Sequence, residues 1–99
     1  MIIIIGTVRL PVASLDQARA AMRAMIEATR REDGCVSYAF AEDVLDPGLI
    51  HISEEWRDRD ALKAHGASGH MATWRAAGAA LQITDRNLSL YAAGQPEPL

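Results

Sequence analysis

Residues 2–10 are apolar and largely β-branched, and Arg9 is the only charge among them. Alternation puts Ile2, Ile4, Gly6, Val8 and Leu10 on one face and Ile3, Ile5, Thr7 and Arg9 on the other. Both faces start apolar, which predicts a strand covered on two sides and central in its sheet. Pro11 ends it. Ser14, with Gln17 three residues later, then predicts a capping box at the start of a helix. Leu15, Ala18, Met22, Met25, Ile26 and Thr29 recur at helical spacing as its apolar stripe, and Gly34 is the stop.

From Cys35 to Leu45 the period changes to two. Val36, Tyr38 and Phe40 point one way, and the small residues Ser37, Ala39 and Ala41 point the other. Asp46-Pro47-Gly48 is a tight-turn signal joining this strand to a third, Leu49 to Trp56, as a hairpin. In the third strand Ile50, Ile52, Glu54 and Trp56 share a face, opposite His51, Ser53 and Glu55. Glu54 therefore sits on the apolar side, where a carboxylate needs a partner or a raised pKa. Asp58 caps a short predicted helix from Arg59 to His65, broken at Gly66, and Ser68 caps another running to about Ala80. Leu62 and His65 fall together on the first, and His70, Met71 and Trp74 on the second. Gln82 to Ala93 reads as a closing strand, with Leu88, Leu90 and Ala92 alternating against Asn87, Ser89 and Tyr91.

The order β-α-β-β-α-β predicts an α+β, ferredoxin-like domain over residues 1–94, with a flexible end at 95–99. Two helices cover only one face of such a sheet. The apolar and small residues on the other face predict burial against a second copy, as a two-fold homodimer.

Composition narrows the function. The net charge of −3 with scattered Lys and Arg argues against nucleic acid as a partner. The four isoleucines at the start have neither a basic flank nor a cleavage site, so no signal peptide is expected. Nothing approaches the roughly 18 apolar residues of a membrane span. One cysteine fits a reducing, cytoplasmic setting. No metal site is expected: His51, His65 and His70 lack ligand spacing, because His65 and His70 lie five apart across Gly66 rather than four apart on one helix.

Glu32, Gly34-Cys35, Tyr38, Glu54-Glu55-Trp56, Ala61-Leu62, His65, Ser68 and His70 together resemble the antibiotic biosynthesis monooxygenase (ABM) family, with its quinol monooxygenase-like members. The resemblance implies a dimeric α+β barrel and oxidation of a small phenol or hydroquinone by molecular oxygen without a cofactor. Deprotonating a hydroquinone yields an anion able to reduce oxygen, so the protein need supply only a base, an orienting group and a dry cavity. Carried onto this chain, His65 becomes the acid/base, Trp56 a pocket wall, and Glu54 the group orienting a histidine or the substrate hydroxyl. Tyr38, His70, Met71, Trp74 and Phe40 become substrate-binding residues. Structural readings stand beside these: Trp56 as core, His65 as a cation at a helix C-terminus, Cys35 as a small buried residue. The same pocket would also suit a non-catalytic binder of a small hydrophobic ligand. A haem-degrading relative of this fold, marked by an asparagine on the first strand, fits less well with Gly6-Thr7 there.

Overall fold

The computed structural model describes all of residues 1–99. Strand β1 (Ile2–Arg9) leads through a 3-10 turn at Val12–Ser14 into helix α1 (Leu15–Arg30). The hairpin β2 (Cys35–Glu42) and β3 (Leu49–Trp56) follows, then α2 (Arg59–Gly66), α3 (Gly69–Leu81) and β4 (Thr84–Ala92). The sheet is antiparallel throughout, in the order β2-β3-β1-β4. This is the ferredoxin-like α+β arrangement, and β1 lies inside it as its two-sided pattern predicts.

Register decides which side chains meet. Ile4 stands opposite Glu54 on β3 and Leu90 on β4, while Tyr38 on β2 stands opposite Glu54 from the other side. One face thus gathers Ile4, Val8, Tyr38, Phe40, Ile50, Ile52, Glu54 and Trp56. Leu15, Ala18, Met22 and Met25 of α1 close over part of it, forming the core. No helix covers the opposite face, where Ile5 and Tyr91 are 53% and 56% exposed.

Both helix caps of the second half form as expected. The Asp58 carboxylate accepts from the Ala61 N–H at 2.8 Å, and the Ser68 hydroxyl accepts from the Met71 N–H at 3.2 Å. The capping box at Ser14 does not form. Its backbone already has helical angles (φ −91°, ψ −7°) within the 3-10 turn, so its side chain makes no cap bond. Strand β2 stops at Glu42 rather than Leu45, because the Asp43 carboxylate accepts from the N–H groups of Leu45 and Asp46 and bends the chain away. A bulge between Cys35 and Ser37 turns Val36 outward and sets Cys35 against the core beside Tyr38. Strand β4 begins at Thr84, since Gln82 adopts the left-handed conformation (φ 60°) that ends α3.

Gly6 has a packing reason to be glycine. A Cβ there would lie 1.9 Å from the Asn87 carbonyl oxygen and 2.7 Å from the Leu88 Cα, both backbone atoms of β4. Gly6→Ala is expected to push β4 off β1 and to cost about 3 kcal/mol in denaturant unfolding. An unchanged unfolding midpoint would contradict this close approach.

Candidate functional site

Helix α1 seals the β2 half of the covered sheet face, whereas α2 and α3 arch over the β4 half and leave a cavity of about 780 Å³. Ile4 and Val8 of β1, Tyr38 and Phe40 of β2, and Ile52 and Glu54 of β3 form its floor. Leu62, His65, Met71 and Trp74 reach it from the helices, and Ile83, Arg86, Leu88 and Leu90 close the side. Alternation along β3 places a carboxylate between two apolar neighbours, and the break at Gly66–Ser68 lets two short helices aim their side chains at it.

Glu54 is buried, and its Oε1 accepts from the Trp56 indole N–H at 2.9 Å. Two residues apart on a strand, the two side chains share a face, so the bond follows directly from the pleat. Burial pushes the Glu54 carboxyl above its ordinary range, against the pull of the indole hydrogen bond and of the His65 and Arg86 charges. Its second oxygen has no partner within the chain. No fully enclosed side-chain oxygen or nitrogen lacks one, so that oxygen opens onto the cavity it lines.

Trp56 is fully buried and lies behind the cavity wall rather than in it. Its ring packs on the His65 imidazole with centroids 4.7 Å apart, and Tyr38 packs edge-on against the same imidazole at 5.4 Å. The indole therefore touches both the acid and the imidazole, which do not bond each other. The Nδ1 of His65 meets the Glu32 carboxylate at 2.6 Å, and the Nε2 of His70 meets the same oxygen at 3.1 Å. A carboxylate only accepts, so both facing nitrogens carry hydrogens. In neutral His65 this leaves the lone pair on Nε2, which has no partner in the chain and opens onto the cavity by the same reasoning as Glu54. An imidazole held this way by a carboxylate is oriented as a base. Burial, followed by the Glu54 and Glu32 charges, drives the Tyr38 phenol well above its usual range, so it stays a neutral hydrogen-bond donor.

Of the residues singled out from the sequence, Glu54, His65, Tyr38, Phe40, Met71 and Trp74 converge on the cavity, while Trp56 and His70 stand one layer behind it. His51 lies on the other face of the sheet, paired with Asp43 at 2.8 Å. Sequence reasoning did not assign a role to Glu32, although it belongs to the pattern that carries the family resemblance. Arg86 on β4 was also missed, and nothing in the alternation of an edge strand marks it.

Glu54→Gln keeps an acceptor for the indole but removes the buried charge. A raised folded-state pKa means that the folded chain holds the proton more tightly, so wild-type stability falls as pH rises from about 4.5 through the folded value. The variant is expected to match wild type below that window. Above it the variant should gain on the order of 1 kcal/mol, about 4–8 °C in Tm. Trp56→Phe should instead lose about 2 kcal/mol by stranding the carboxylate. Thermal unfolding from pH 4 to 8 tests both, and parallel pH profiles for Glu54→Gln and wild type would contradict this account.

Comparison with known proteins agrees with the geometry. The chain matches the family model for antibiotic biosynthesis monooxygenase over residues 1–77. It is 43% identical over 63 residues to the candidate monooxygenase Rv0793 of Mycobacterium tuberculosis, a match covering 60% of this chain and 61% of that protein. It is 33% identical over 64 residues to the uncharacterized protein sll1783 of Synechocystis, covering 65% of this chain and 44% of that one. These alignments thus span less than two thirds of either curated relative. Among solved structures, a candidate antibiotic biosynthesis monooxygenase of Deinococcus radiodurans superposes with a TM-score of 0.92 at 30% identity, covering 100% of this chain and 98% of its own. The structure of Rv0793 superposes with a TM-score of 0.78 at 32% identity, covering 97% and 96%. With its sheet order, its helices and most of its length matched in this way, the chain belongs to the antibiotic biosynthesis monooxygenase family.

Proposed function

We propose that this protein is a cofactor-independent monooxygenase that oxidises a small phenolic or hydroquinone substrate with molecular oxygen. The observation that carries this reading is the buried His65, backed by Glu32 at Nδ1 and open at Nε2 to an apolar cavity that also holds Glu54. Nε2 removes the phenolic proton, and Glu32 stabilises the imidazolium that forms. The resulting anion reduces oxygen directly. For a hydroquinone the balance is substrate plus O₂ giving a hydroxyquinone plus water, with every electron supplied by the substrate. Glu54 and the neutral Tyr38 phenol orient the substrate's oxygens, and Phe40, Met71 and Trp74 exclude water from the intermediate.

Oxygen uptake by protein freed of metal with a chelator, across a panel of hydroquinones and anthrones, tests the reaction. His65→Ala is expected to lower kcat by about 10²–10⁴-fold. Turnover that survives this substitution would remove the base role. A panel that raises Tm without consuming oxygen would instead identify a non-catalytic binder of small hydrophobic molecules.

We further infer a homodimer built on the uncovered sheet face. The exposed Ile5 and Tyr91 and the small residues Ser37, Ala39 and Ala41 on that face support self-association. Light scattering at micromolar concentration should give twice the 10.7 kDa chain mass. A charge such as Ile5→Lys should shift the population to monomer, and a wild-type monomer would rule the dimer out.

A further inference from the structure

The geometry points to a binding site for one divalent transition-metal ion, zinc foremost, formed by Glu32, His65 and His70 behind the cavity wall. The three ligand atoms, one from each side chain, lie within 4.8 Å of one another. They come from three separate elements: the segment after α1, the end of α2 and the first turn of α3. Glu32 Oε2 already sits 2.6 Å from His65 Nδ1 and 3.1 Å from His70 Nε2. Metal bonds of about 2.0–2.2 Å in a tetrahedral site set ligand atoms about 3.3–3.5 Å apart. The two Glu32 contacts would open by less than about 1 Å to admit the ion, and the two histidine nitrogens, at most 4.8 Å apart, would close by up to about 1.4 Å.

The backbone corner between the two histidines is tied by hydrogen bonds. The Ser68 hydroxyl donates to the His65 carbonyl at 2.6 Å and accepts from the Met71 N–H at 3.2 Å, pinning the corner that separates the two histidines. That corner replaces the i,i+4 spacing of a continuous helix, and it brings residues five apart onto one carboxylate. The side chains of Glu32 and His65 are 17% and 5% exposed, and that of His70 is 25% exposed, leaving an entry path on the His70 side. Two imidazoles and one carboxylate carry a single negative charge and suit zinc, cobalt or nickel. Magnesium and calcium prefer all-oxygen sets.

The consequence for chemistry follows from where a hydrogen can sit. An ion on Nδ1 displaces the hydrogen that Glu32 holds there, and neutral His65 must then carry its hydrogen on Nε2. That nitrogen can then donate but no longer accept. Metal binding thus turns off the base by exchanging its tautomer, with the ion itself on the far side of the imidazole from the cavity. The binding site stands on its own geometry; its effect on turnover rests on the base role proposed for His65.

Titrating the metal-free full chain with zinc against a chromophoric indicator is expected to show one ion per chain at micromolar or tighter affinity. Cobalt(II) should give the visible absorption of a four-coordinate site, and magnesium should not compete. Glu32→Gln and His70→Ala should each weaken zinc at least tenfold, whereas His51→Ala should leave it unchanged. Imidazole nitrogen NMR should show His65 Nε2 unprotonated in the free protein and protonated with zinc, a readout that needs no substrate. Absence of binding at tens of micromolar, or wild-type affinity in both Glu32→Gln and His70→Ala, would overturn the site. Binding with no tautomer change would overturn the switch. Where turnover is measurable, zinc should suppress it over the same concentration range as binding. Should no substrate ever turn over, the titration and NMR still decide whether the site exists.

Discussion

The hydrogen bond from the Trp56 indole to Glu54 is the interaction on which the covered face of this sheet depends. A carboxylate in the middle of an apolar surface is costly to bury, and a carboxylate left without any donor would be excluded from such a position. The pleat of β3 supplies the donor two residues along, on the same side of the strand. With one oxygen so engaged, the other can face open space, and the helices need not pack solidly over it. The cavity between sheet and helices is the space onto which this half-satisfied acid opens.

Trp56 links this acid to the imidazole. Its N–H fixes Glu54, and its ring face fixes His65, so a single buried side chain sets the relative position of two groups that never bond to each other. Glu32 acts from behind, selecting which nitrogen of His65 presents a lone pair. The arrangement resembles the imidazole-plus-carboxylate pairing of many hydrolytic sites, although here the imidazole faces a largely apolar chamber.

Much of this was legible in the sequence because alternation and helical spacing are direct records of burial. The two-sided pattern of residues 2–10 placed β1 inside the sheet, and the limits of β3 from Leu49 to Trp56 were read without error. Glu54 stood out because its position contradicted its neighbours. The failures have physical causes. Ser14 carries a capping signal, but a 3-10 turn had already given its backbone helical angles. Val36 lost its inward position to a bulge that periodicity does not encode. Glu32 is far from His65 along the chain, and only the fold, through the corner at Ser68, brings His65 and His70 to one oxygen.

Strand β4 carries no fully buried side chain, and it is an edge strand, yet it supplies one wall of the cavity. Regions with few buried contacts open at the lowest free-energy cost. Its attachment to β1 passes Gly6 at a distance no side chain would tolerate, so the seam is tight in backbone but thin in hydrophobic grip. Of the cavity's walls, β4 is therefore the one whose local opening costs least.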